Sequence, residues 1–215
     1  MAMEVLLAYR SLEIQSSRNS ASLAFASELR ASADRELNSV LFLSSGLVGY
    51  LTVRHEQIDP LEMNAILEAV HVQGRHIRSM AVVIDYRPSF VVPLAGNEQI
   101  LGRDYREISA QWPAVKRAID SGSGVLTGPV SLVQGGTAMI YRVPIFIKGK
   151  YWGLLATVID MPSFYAAAFK GLEGDSFEFA LRSDEPDGQT GGLLWGDEIL
   201  FSDPLVTLVD SGVPG

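Results

Sequence analysis

From Glu4 to His55 the chain contains no proline, and its first glycine there is Gly46. Such a stretch, wound as one α-helix at 1.5 Å per residue, would reach about 75 Å, well beyond the width of a small domain. Apolar or small residues recur within it at Ala26, Leu29, Ala33, Leu37, Val40, Ser44, Leu47 and Leu51, in steps of three and four. That spacing predicts a helix with one buried stripe. The second half is expected to pack on its own domain. The first half is interrupted by Ser16, Ser17, Arg18, Asn19 and Ser20 and is too polar to be buried alone, so it is expected to pair with a second copy of the chain.

The remainder alternates between short helices and strands. Asp59-Pro60-Leu61-Glu62 combines an N-cap, a proline at the first helical position and a glutamate in the first turn, and predicts a helix running to Val72 and stopping at Gly74. Residues 77–86 read as a strand in which Met80, Val82 and Ile84 alternate with Ala81, Val83 and Asp85; Pro88 is expected to end it, with 90–94 as its hairpin partner. A short helix over 112–119 closes at Gly122. Three β-rich runs follow, 125–133, 137–147 and 151–159, divided by glycine turns at Gly135-Gly136 and Lys148-Gly149-Lys150, the pattern of an antiparallel meander. Asp160-Met161-Pro162-Ser163 opens a helix over 164–170, and 177–181, 193–195 and 205–209 read as strands of a smaller second sheet. The class is α+β.

Acidic residues number 25 against 17 basic, for a net charge of −8, which argues against a nucleic-acid or anionic-membrane surface. The absence of cysteine removes disulfides, thiol nucleophiles and thiolate metal sites. No run of 18 residues is wholly apolar, and the beginning reads as that of a cytoplasmic protein or of a soluble segment excised from something larger.

Catalytic motifs are missing. His55, His71 and His76 do not form a metal spacing, Gly122-Ser123-Gly124 follows a helix instead of opening one, and no serine stands with histidine and acid at a hydrolase-like spacing. Asp184–Gly188 groups carboxylates around a glycine without the full calcium-loop pattern. Neither a catalytic residue, a metal site nor a cofactor is expected. Arg142 stands out, inside the second meander strand on one face with Ile140 and Pro144 and opposite Tyr141. It is either an arginine on the wet face of the sheet or a pocket-floor guanidinium suited to a carboxylate or phosphate.

Val92-Pro93-Leu94-Ala95-Gly96-Asn97-Glu98, Leu101-Gly102-Arg103-Asp104, Leu126-Thr127-Gly128-Pro129, Val143-Pro144-Ile145-Phe146 and Gly153–Asp160, in this order after a long helix, resemble the CHASE family. These are extracytoplasmic sensory domains of receptor histidine kinases and nucleotide cyclases. The resemblance implies a signalling and dimerisation helix over 1–56, a membrane-distal PAS-like ligand-binding module over 57–160 and a proximal PAS-like module over 161–215, incomplete at its end. It implies a periplasmic segment of an inner-membrane protein, held by flanking membrane helices, that binds a small molecule as a homodimer. Plant members bind cytokinins, and the family's contact positions fall on Gln111, Thr127, Val133 and Arg142; Met80 and Tyr141 complete the candidate set. A long arginine would fill space an adenine ring needs, so the expected ligand is a small anionic or carboxylate-bearing molecule. The alternative is a structural or protein-binding module with no small-molecule ligand.

Overall fold

A computed structural model describes residues 2–132, 135–171, 178–184 and 190–202, with side chains described outside 2–19, 183–184 and 190–192. The predicted helix forms as one element, α1 (Ala2–Arg54). Its expected stripe is the one that packs: Leu29, Leu37, Val40, Ser44, Leu47 and Leu51 are all buried. By length and composition the part Ser20–Arg54 is apolar enough to cross a membrane. Its buried stripe, however, lies on the protein's own sheet and covers the core.

The capping residues act as their chemistry dictates. Asp59 Oδ1 accepts from the Glu62 amide at 2.9 Å and starts α2 (Pro60–Gln73). Strands β1 (Ile77–Ile84) and β2 (Arg87–Val92) form a hairpin that turns at Asp85-Tyr86, with Asp85 at φ 53°. Pro88 therefore does not end the first strand as expected. It lies inside the second, which is an edge strand and tolerates a residue without an N–H. Two 3₁₀ turns, Glu98–Ile100 and Tyr105–Glu107, lead into α3 (Trp112–Ser121), closed by Gly122 in the left-handed conformation at φ 66°.

The meander forms with nearly the predicted bounds: β3 (Val125–Ser131), β4 (Thr137–Ile147) and β5 (Lys150–Ile159). The five strands make one antiparallel sheet in the order β2-β1-β5-β4-β3. Gly153 is required where β5 crosses β1, because a Cβ there would collide with the Val83 carbonyl. After the sheet comes α4 (Met161–Ala168), capped by Asp160 Oδ2 on the Ser163 amide at 3.0 Å. A separate two-stranded ribbon, β6 (Leu181–Asp184) and β7 (Thr190–Trp195), and a 3₁₀ turn, Glu198–Ser202, complete the described chain. The first strand of this ribbon begins later than the sequence pattern suggested, and the expected strand over 205–209 and most of the Asp184–Gly188 loop lie outside the described residues.

The two faces of the large sheet carry separate cores. One packs Met80, Val82, Met139, Ile145, Leu155 and Ile159 against α1, α2 and α4, and continues into an aromatic group of Tyr165, Phe169, Phe179 and Trp195. The other packs Ala81, Val83, Ile140, Leu154, Ala156 and Val158 under Ile100, Tyr105, Ile108 and Val115. Buried Ser44 on α1 and Thr157 on β5 share a hydrogen bond of 3.0 Å in the first core. That pair fixes the helix register on the sheet, since slippage leaves both hydroxyls unsatisfied. Leu51→Ala is expected to cost about 2–5 kcal/mol in chemical denaturation, whereas Val53→Ala, on the exposed side of the same helix, stays within about 0.5 kcal/mol of the parent.

Candidate functional site

Strand alternation decides what faces what. On β4 the even positions Ile140 and Arg142 point into the second core, and the odd positions Met139 and Tyr141 point toward the helices. Arg142 is thus not on a wet face: it is fully buried, with 0% of its surface exposed. Its Nη1 donates to Thr127 Oγ1 at 2.6 Å on neighbouring β3, and its Nη2 reaches Gln111 Oε1 at 3.4 Å at the start of α3. Its Nε has no hydrogen-bond partner, and no carboxylate pairs with it among the described residues. Burial pushes its pKa down to about 10, Tyr105 opposes that fall, and Arg117 adds to it. The Nε of Arg117 is likewise buried without a partner.

A cavity of about 20 Å³, the room of a single water, is lined by Gln111, and Arg142 stands behind that residue without forming part of the wall. Its walls are apolar at Ala81, Ile100, Leu132, Ile140, Ala156 and Val158, and polar at Ser79, Tyr105 and Gln111. A larger molecule enters only if the walls part. The roof is the loop from Asn97 to α3, held by a charged knot: Asp104 accepts from Arg106 Nη2 at 2.6 Å and faces Arg87 at 3.2 Å. The guanidinium of Arg106 rests on the Tyr86 ring, 4.3 Å from its centroid. The Arg106 hydrogen bonds hold the Asp104 carboxyl down at about 2.

Of the sequence-predicted contacts, the structure brings Arg142, Thr127 and Gln111 together. Met80 and Tyr141 are on the other side of the sheet, buried or packed in the helix-side core, because they have the opposite strand parity; this corrects their place in the candidate set. Val133 lies outside the described residues. Tyr105 and Ser79 were missed, since only the chain's return over the sheet places a loop tyrosine above Ala81 and Ile140.

A second cluster brings a histidine, a carboxylate and a hydroxyl together, although they stand at no hydrolase-like spacing in the sequence. His76, at φ 61°, holds Ser163 Oγ at 2.6 Å with Nδ1 and Glu36 Oε2 at 3.0 Å with Nε2. Arg75 shares the same carboxylate oxygen at 3.3 Å. The imidazole is 5% exposed and packs edge-on against Phe164, so the cluster ties α1, the start of β1 and α4 together. Its members are 40 and 87 residues apart, and no sequence spacing announces it.

The CHASE domain family model matches residues 44–195, and the chain belongs to that family of extracytoplasmic sensory domains. Solved structures share the fold. The extracellular ligand binding receptor from Desulfohalobium retbaense aligns with TM-score 0.63 at 15% identity, over 83% of this chain and 31% of that longer one. The sensory domain of the Campylobacter jejuni chemoreceptor Tlp3 with isoleucine bound aligns with TM-score 0.62 at 10% identity, over 92% and 78%. The ligand-binding domain of the Pseudomonas aeruginosa amino acid chemoreceptor PctB with L-Arg aligns with TM-score 0.60 at 16% identity, over 87% and 73%. No curated protein matches the sequence significantly.

Two measurements check this description. Arg142→Met removes a buried, acid-free charge while keeping the apolar stem, and is expected to raise stability by about 1–4 kcal/mol in urea denaturation. Asp104, whose carboxyl falls from 3.8 to about 2 on folding, contributes stability that is present above pH 4 and lost as pH falls toward 2. Asp104→Asn should therefore lower the melting temperature at pH 7 and flatten its decline between pH 4 and 2.

Proposed function

We propose that this sensor domain binds a small anionic, carboxylate-bearing molecule through Arg142 and transmits the occupancy along α1 to an output domain of the histidine kinase or nucleotide cyclase type. The observation that carries the reading is the fully buried guanidinium without an acid partner. Uncompensated buried charge is costly, and a bound carboxylate matches the guanidinium fork. Thr127 positions the fork from β3, and Gln111 caps it from α3. A ligand that parts the walls and replaces these weaker contacts binds one arrangement of the domain better than the other, which is the requirement for signalling.

The working boundaries are a signalling helix over 1–56, a distal PAS-like module over 57–160 that includes the large sheet, and a proximal PAS-like module from 161 onward that includes the β6–β7 ribbon. α1 is proposed to pair with a second copy. Phe42 and Val53 are 75% and 79% exposed, and Gly46 and Gly49 lie between them with open space above, in the three-and-four spacing of a helix-packing stripe.

Thermal-shift screening of small acids tests the ligand reading. A binder at a hundred times its Kd should stabilise the parent protein by about 2.7 kcal/mol, and Arg142→Ala should abolish the shift; unchanged binding of every stabilising acid by that variant excludes Arg142 as the contact. Sedimentation of Phe42→Glu against the parent tests the pairing, with a dimer expected for the parent and a monomer for the variant.

A further inference from the structure

The charge inventory around the cavity is one-sided. The polar walls Ser79, Tyr105 and Gln111 are neutral; the cation Arg142 stands behind Gln111, and Arg117 is near enough to act on it. Among the described residues, no aspartate or glutamate lines the cavity. The acids on the flanking elements are turned elsewhere: Asp104 is bound to Arg106 and Arg87, Asp120 pairs with Lys116, Glu98 and Glu107 are exposed, and Asp160 caps α4.

This matters for ligand chemistry. An α-amino acid carries an ammonium within a few ångströms of its carboxylate. Here that ammonium would lose its water, find no carboxylate, and sit close to a buried guanidinium of like charge. The sheet surface next to Arg142 is small and apolar, with Ala81, Ala156, Val158 and Ile140 side by side. We infer that the site takes a short, apolar-tailed carboxylic acid without an amino group, and rejects the amino acid of the same carbon length. The inference rests on Arg142 being the anion contact. It separates this chain from the structural neighbours whose bound ligands are amino acids, and at their 10–16% identity the shared fold leaves the lining side chains free to differ.

Calorimetric titration with butyrate, L-2-aminobutyrate and n-butylamine decides it, on the parent protein, Arg142→Met and Gln111→Glu. The expected result is butyrate binding, L-2-aminobutyrate at least tenfold weaker, and no heat from n-butylamine. Gln111→Glu places a carboxylate within reach of Nη2; it should abolish butyrate binding and raise the melting temperature, which also reports that the variant is folded. Equal or tighter binding of L-2-aminobutyrate, or of n-butylamine, overturns the inference. If that amino acid binding is lost in Arg142→Met, the guanidinium remains the anion contact and only the ligand class falls. Butyrate binding that survives Arg142→Met, or the absence of binding by either acid, removes both this inference and the reading beneath it.

Discussion

The two-residue period of β4 and β5 is the constraint on which the rest of this domain depends. A strand in the middle of a sheet covered on both faces must send alternate side chains into two unlike environments. On β4 this divides Met139 and Tyr141, which meet the helices, from Ile140 and Arg142, which meet the loop and α3. On β5 it places Ala156 and Val158 in the cavity wall while Thr157, between them, is bonded to Ser44 of α1. The cavity wall and the surface that holds the long helix are thus consecutive residues of one strand.

The second governing fact is the guanidinium itself. The interior of a domain this size has ample apolar residues to fill the position of Arg142, and an aliphatic side chain there would be the more stable choice. What surrounds it is a partial solution: one short hydrogen bond to Thr127, a long one to Gln111, an Nε left unpaired and a pKa displaced downward by burial. Such incomplete satisfaction is expected where a site is prepared for something else. The loop above it is held in a different way. The Asp104 carboxylate is fully engaged by Arg106 and Arg87, so the roof has its charges matched while the floor does not.

Much of this was readable in the chain before folding. The stripe from Leu29 to Leu51, the caps at Asp59 and Asp160, the glycine stop at Gly122 and the bounds of β3, β4 and β5 follow from local rules about hydrogen-bond donors, backbone freedom and side-chain spacing. Each involves residues within a few positions of one another. The association of Thr127, Gln111 and Arg142 was indicated by the family resemblance, with the buried contact itself supplied by the fold. Local rules failed where a residue's role depended on strand position in the sheet. Pro88 was expected to break a strand and instead sits in an edge strand, where its missing N–H costs little.

By itself the sequence determined the elements, their order and the isolation of one arginine within an apolar strand, because these are properties of short segments and of composition. Only the tertiary structure decided which face of the sheet became interior on each side. It sent Met80 and Tyr141 to the helices, buried Arg142 on the other face against Thr127 and Gln111, and brought Glu36, His76 and Ser163 into one cluster. The reason is that burial and charge pairing are relations between distant segments, and they acquire values only when the packing of one segment against another is complete.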